Sequence, residues 1–285
     1  MGEGELMAFS NVIVFDERCL EYGRPGHPES PERVRRAFEF LKAQGVYRVE
    51  RPEPAPEREL LRVHTPKHVE RLKRLEFYDP DSPRYEGIYE YARLAAGGAL
   101  LAMRLRGFSL MRPPGHHAGP ERVAGFCYLN NLAVAVRASG RRTLIVDIDG
   151  HHGDGTQAIF LGDPQVVFIS LHSSPNYPGT GLAHERNCFN YPLPFGCGEA
   201  VYLETLERAL DAVRAERFEQ LAISAGFDTY ERDPLAPLGL RTESYFKIGQ
   251  LLSGLKLPTF AVLEGGYVPE ALGPNVHAFL QGLSA

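Results

Sequence analysis

Apolar residues along this chain gather in short runs separated by longer amphipathic stretches, and the two patterns alternate. Asn11–Phe15, Phe108–Met111, Thr143–Val146, Val166–Leu171, Leu221–Ala225 and Thr259–Leu263 are continuous and rich in β-branched or aromatic residues. Runs of that kind read as strands buried on both faces. Between them the spacing is helical. One helix runs from Pro31 through Val34, Phe38 and Leu41 to a stop at Gly45, with Ser30 placed to cap it and Pro31 at its first position. Others are predicted from Thr65-Pro66 to near Leu75, from about Glu86 to Arg106, over Asn130–Ser139, from near Thr156, and over Glu199–Arg217, Thr242–Leu255 and roughly Pro269–Gly282. Arg51–Pro56, Phe77–Tyr85 and Ser173–Pro194 are rich in Pro, Gly, Asp or Asn and read as loops; a loop as long as the last usually carries function. Strand–helix alternation predicts an α/β fold, a parallel sheet covered on both faces, with ligands at the strand ends. One domain over residues 1–285 suffices.

Composition narrows the partners. A length of 285 residues, 44% hydrophobic and 24% charged, is ordinary for a soluble globular protein. A net charge of −5 gives no electrostatic case for nucleic acid or an anionic membrane. Cys19, Cys127, Cys188 and Cys197 form no CxxC pair, Met1–Met7 has no signal-peptide core, and no apolar run approaches membrane-spanning length. The expectation is a cytoplasmic protein. Oligomeric state is not written in the sequence.

The richest stretch is Thr143–Gly155, TLIVDIDGHHGDG. Asp147, Asp149 and His151 alternate, and side chains two apart on an extended backbone share a side. Two carboxylates and an imidazole are costly to bury unless a cation compensates them, and the mixture suits zinc, or Fe2+ in its place. The plain alternative is a polar turn with a capping Asp. Asp228, after a strand expected to lie parallel to this one, could complete a three-ligand site with an open position; alone, an Asp there is commonly a helix cap. His116-His117 sits in a turn stiffened by Pro113 and Pro114. Asp147 and Asp154 are the carboxylates available to orient the two imidazoles, as a general base or acid requires. A lone His pair would ordinarily be a surface feature. Tyr267, after Gly265-Gly266, could bring a phenol to a developing oxyanion, and Phe126 and Tyr177 are either core aromatics or walls of a substrate channel.

Taken together, HPESPER at His27–Arg33, RPPGHHA at Arg112–Ala118, GFCYLNN at Gly125–Asn131, DIDGHHGDGTQ at Asp147–Gln157 and EGGY at Glu264–Tyr267 resemble the zinc-dependent histone deacetylase family, which includes bacterial deacetylases and acetylpolyamine amidohydrolases. The motifs cover nearly the whole chain in the family's order. The resemblance implies the arginase/deacetylase fold, an eight-stranded parallel sheet between helices. It implies zinc on Asp149, His151 and Asp228, catalytic His116 with Asp147 and His117 with Asp154, and Tyr267 polarising the scissile carbonyl. Gly125, Phe126 and Tyr177 match the acyl-lysine tunnel, where the last is usually Phe. Asp81 falls at a substrate-gripping rim aspartate, and Arg33 resembles an arginine of the acetate channel. Asp147, Asp149, His151, Ser170 and Leu171 are similar to a potassium or sodium site; Phe160–Val166 departs from the pattern of a second one. The implied activity is hydrolysis of an acetyl amide to acetate and an amine. Leu235 stands where polyamine-preferring relatives carry an acidic residue, so acetyl-lysine in proteins or peptides is the expected substrate. Acetylpolyamine or another small acylated amine is the alternative. A non-catalytic acetyl-lysine-binding module would lack a ligand, histidine or tyrosine, and none is missing.

Overall fold

The computed structural model describes residues 8–285; Met1–Met7, on which the leader-peptide reading bears, lies outside them. Strands β1 (Val12–Val14), β2 (Arg48–Glu50), β3 (Phe108–Ser109), β4 (Thr143–Asp147), β5 (Val166–Ser173), β6 (Cys188–Leu193), β7 (Gln220–Ala225) and β8 (Thr259–Leu263) form one sheet in the order β2-β1-β3-β8-β7-β4-β5-β6. Every pairing is parallel. The helices are α1 (Pro31–Ala43), α2 (Glu57–Leu60), α3 (Pro66–Lys73), α4 (Ile88–Leu105), α5 (Asn131–Ser139), α6 (Asp154–Phe160), α7 (Gly198–Ala212), α8 (Thr242–Ser253) and α9 (Pro269–Leu283).

Burial on both faces explains the unbroken apolar runs. In β4, Leu144 and Val146 pack into the layer that holds Leu41 of α1, Leu206 of α7, Ile248 of α8 and Phe279 of α9. Ile145, between them, packs into the opposite layer with Ala92 and Ala96 of α4 and Leu132 of α5. Fully burying side chains of this size contributes about 1.5–3 kcal/mol each. Among the described residues, no helix is long and apolar enough to cross a membrane.

Local signals succeed where a side chain meets its own backbone. Thr65 Oγ1 accepts from the His68 amide at 3.3 Å at the start of α3, and Asn130 Oδ1 accepts from the Ala133 amide at 3.0 Å at the start of α5. Ser30 occupies the cap position of α1 in extended conformation but makes no capping hydrogen bond, so Pro31 alone marks that start. Helix α6 begins at Asp154, two residues before the predicted Thr156, and α7 ends at Ala212 rather than Arg217. Two strands went unforeseen, β2 and β6, and they are the sheet's edges. Strand β2 is Arg-Val-Glu with no fully buried residue, and β6 lies inside the stretch read as the Ser173–Pro194 loop, which shrinks to residues 174–187.

Candidate active site

Because all strands run the same way, the segments leaving β4, β7 and β8 emerge side by side. Strand β4 ends at Asp147, so Asp149 and His151 stand in the turn beyond it, and strand alternation does not by itself place them. Asp147 separates from the other two and faces His116. Asp149, His151 and, from the segment after β7, Asp228 converge: one ligand atom from each lies within 4.8 Å of the others, and all three residues are buried. Nδ1 of His151 is 2.8 Å from Asp228 Oδ2 and 3.1 Å from Asp149 Oδ1.

The donor set fits a divalent cation. Asp228 Oδ2 is buried and accepts no well-directed hydrogen bond, a costly state unless another partner occupies it. Burial and the neighbouring Asp149 carboxylate push the Asp228 carboxyl above its usual range. Burial opposes charge on His151, yet Asp228 and Asp149 lift its pKa to about 10. The pocket therefore demands positive charge. Gly265 keeps the approach clear: a methyl group there would stand 2.6 Å from Asp149 Oδ2 and 2.7 Å from Asp228 Oδ2. Its amide instead donates to Asp149 Oδ2 at 2.7 Å.

The tandem imidazoles sit against this cluster, each tied to its own carboxylate. His116 Nδ1 is 3.0 Å from Asp147 Oδ2, and His117 Nδ1 is 2.8 Å from Asp154 Oδ1. On its other side His116 Nε2 is 3.7 Å from Asp149 Oδ1. Burial disfavours the charged ring in both, but Asp149 and Asp147 overcome it for His116, whose pKa is held well above the ordinary value. For His117, burial and the adjacent His116 prevail over Asp154, and the pKa falls to about 3. The surroundings thus favour the charged ring in His116 and the neutral ring in His117.

Behind the pair is Glu264, at the end of β8. Its Oε2 accepts from the Gly115 amide at 2.7 Å and the His116 amide at 3.1 Å, while Ser224 Oγ donates to Oε1 at 3.1 Å. Burial pushes this carboxyl up to about 7. Arg122 pairs with the second oxygen of Asp154. The sequence reading assigned neither residue a task. The position of Glu264 directly before Gly-Gly-Tyr was the available signal, and for Arg122 there was none.

A pocket of about 210 Å³ is lined by His117, His151, Gly125, Phe126, Tyr177 and Tyr267, with Asp81, Asn176 and Leu235 completing it. Phe126 holds a left-handed backbone (φ 70°), uncommon for a bulky residue, and its amide donates to Ser82 Oγ at 2.9 Å. That bond ties the Phe126 wall to the loop carrying Asp81, which is solvent-exposed. The Tyr177 ring lies 5.1 Å from that of His117, and the Tyr267 ring 5.8 Å from that of Phe126. Burial keeps the Tyr267 phenol protonated, its pKa well above the ordinary value despite nearby Arg33. Arg33 is outside the pocket lining. It lies behind Tyr267, its guanidinium 4.8 Å from the ring, donating to Gly266 O at 2.6 Å and Glu264 O at 2.7 Å. Ser170 stands opposite Asp147 in the β4–β5 register with Leu171 next to it, and Ser170 Oγ is 3.0 Å from His172 Nδ1. Asn176 went unremarked in the sequence because nothing local distinguishes it from any loop Asn.

The histone deacetylase domain matches residues 27–283. The chain belongs to that family. A relative from Archaeoglobus fulgidus, described as a probable deacetylase, is 37% identical over 92% of this chain and 82% of its own length. Among solved structures, the HDA15 HD domain superposes with a TM-score of 0.89 at 34% identity, covering 97% of this chain and 88% of that one. An acetylpolyamine aminohydrolase from Burkholderia pseudomallei superposes with a TM-score of 0.86 at 26% identity, covering 97% of this chain and 99% of that one. The family's arginase/deacetylase fold is the eight-stranded parallel sheet described above, and its members are hydrolytic deacetylases typically dependent on zinc.

Proposed function

We propose that this chain hydrolyses the acetyl amide on the side-chain amine of lysine in proteins or peptides, releasing acetate and the free amine. The observation that carries the reading is the meeting, in one pocket, of an imidazole tied to its own carboxylate (His117), a phenol (Tyr267) and a member of the candidate metal cluster (His151). Asp149, His151 and Asp228 would hold the zinc ion, which when bound supplies Lewis acidity and activates water. His117 takes the proton from the attacking water and passes it to the departing amine. His116 adds positive charge beside the developing oxyanion, and Tyr267 donates its phenolic proton in a hydrogen bond to that oxygen. Asp147 and Asp154 fix the two imidazoles. Gly125, Phe126 and Tyr177 enclose the acyl-lysine stem, and Asp81 accepts from the substrate backbone. Arg33, buried behind Tyr267, belongs to the route of the departing acetate. A potassium or sodium ion on Asp147, Asp149, His151, Ser170 and Leu171 fits the facing of Asp147 and Ser170 across β4 and β5. The four free cysteines suit a reducing compartment, the cytoplasm.

A second reading, deacetylation of an acetylpolyamine or similar small amine, is favoured by the likeness to the Burkholderia pseudomallei enzyme and by the exposed Asp81 carboxylate in the pocket lining. Against it, Leu235 offers a second cationic amine nothing. Side-by-side kcat/KM on an acetyl-lysine peptide and on acetylspermidine decides: preference for acetylspermidine overturns the lysine assignment. Tyr267→Phe should retain zinc and lose most turnover; unchanged turnover would rule out the catalytic scheme.

A further inference from the structure

Tyr267 has an anchoring problem. It follows Gly265 and Gly266, the latter at φ 118°, a conformation suited to glycine. Neither glycine has a side chain to brace the approach, which is held only through its backbone, by Asp149 on the Gly265 amide and Arg33 on the Gly266 carbonyl. An oxyanion donor, though, has to be held to within about 0.5 Å, and a misplacement of about 1 Å can cost 10²-fold in rate. The ring stands edge-to-face with Phe126 and has the guanidinium of Arg33 over it. Its backbone needs a fixed partner.

Asp233 supplies one. The residue is buried, 4% exposed, and lies outside the metal cluster, the imidazole pair and the pocket lining. Its carboxylate is divided between two backbone amides of different loops: Oδ2 accepts from the Tyr267 amide at 2.7 Å, and Oδ1 from the Leu235 amide at 3.0 Å. The chain of bonds continues. Leu235 O accepts from Asn176 Nδ2 at 3.3 Å, and Asn176 Oδ1 accepts from the Tyr177 amide at 2.8 Å. Asn176 Nδ2 also donates to Ser173 Oγ at 2.7 Å, at the end of β5. An unbroken line therefore runs Tyr267–Asp233–Leu235–Asn176–Tyr177, and every member except Asp233 lines the pocket. Asp233 is the link behind the wall.

We propose that Asp233 is a positioning residue for the amide hydrolysis, its carboxylate fixing the Tyr267 backbone against the opposite wall of the substrate pocket through Leu235. The inference rests on the role proposed for Tyr267. It differs from a packing role in that its effect on rate passes through one phenol.

The test is a double-mutant cycle of Asp233→Asn with Tyr267→Phe on an acetyl-lysine peptide, with kcat and KM separated and zinc content and Tm measured for each protein. Asn keeps one acceptor and turns an NH2 toward a backbone N–H. Asp233→Asn alone should lower kcat about 10- to 100-fold, change KM by less than about threefold, and leave zinc content at the wild-type level. In the Tyr267→Phe background the same change should cost less than about twofold, because the group it positions is gone. A full multiplicative loss in that background, an unchanged kcat for Asp233→Asn, or loss of zinc overturns the proposal while leaving the deacetylase reading intact. Turnover unaffected by Tyr267→Phe alone removes the role proposed for that phenol, and this inference with it, while leaving the deacetylase activity standing. If Asp233→Asn is recovered unfolded, Asp233→Ser, which avoids the donor clash, is read through the same cycle with the same outcomes.

Discussion

Glu29 is the charge on which the back of the site is built, and its removal can be worked through. The carboxylate is buried, with Arg112 Nε at 2.8 Å and Arg33 Nη1 at 3.1 Å on one oxygen, and Arg112 Nη2 at 2.7 Å on the other. Both guanidinium groups are themselves fully buried. Glu29→Gln keeps the shape, removes the carboxylate bonded to both cations, and points an NH2 at a donor. Removing one partner of a buried pair costs about 3–5 kcal/mol. The electrostatic surroundings of Glu29 give a second route to the same quantity. Burial opposes ionisation of Glu29, but Arg112 and Arg33 outweigh it and hold the carboxyl at about 2 rather than the ordinary 4.5, which corresponds to about 3 kcal/mol. Because the folded-state value is depressed, this stabilisation is complete above pH 4.5 and is lost as the pH falls toward 2. Urea unfolding of wild type and Glu29→Gln should therefore differ by about 3–5 kcal/mol at pH 7, with the gap closing below pH 4.5. A gap under about 1 kcal/mol at pH 7, or one that does not change with pH, would refute the argument. Arg33 also holds the Glu264 and Gly266 carbonyls behind Tyr267, so kcat should fall in the same variant.

Three further outcomes are expected. Asp228→Ala should abolish stoichiometric zinc by elemental analysis, and its Tm should not respond to a chelator, whereas wild type at about 1,000 Kd of zinc should lose about 4 kcal/mol of stability on chelation. Gly265→Ala, which places a methyl group 2.6 Å from Asp149 Oδ2 and 2.7 Å from Asp228 Oδ2, should weaken zinc affinity by at least about 10-fold; affinity equal to wild type would show that the crowding is relieved elsewhere. Thr65→Ala, removing the bond to the His68 amide at the start of α3, should cost about 1 kcal/mol in urea and leave kcat/KM unchanged.

What could be read from the sequence divides along physical lines. The six inner strands announce themselves because residues such as Leu144, Ile145 and Val146 must suit two apolar layers at once. The edge strands carry no such demand: Arg48-Val49-Glu50 pairs with one neighbour and faces solvent, and β6 is interrupted by Asn190 and Pro192. Motif residues were visible as chemistry, since an imidazole or carboxylate at a strand exit stands out from a packing residue. Asp147 and Asp154, inside the same motif, were legible with them, whereas the bracing contacts of Glu264 and Asp233 were not. Glu264 reaches Gly115 across 149 positions, and Asp233 reaches Tyr267 across 34. Contacts of that kind are created by the order of strands in the sheet, and no local pattern in the chain records them.

The placement of β8 between β3 and β7 has a consequence for biogenesis. Thr259–Leu263 follows the seven other strands in chain order, yet it fills the gap in the middle of the sheet and delivers the Gly265 amide to Asp149. A nascent chain carries all three ligand side chains well before that seam can close. Tight uptake of an ion on those ligands would thereby wait for β8, and a product cut before Thr259 should fail to retain metal.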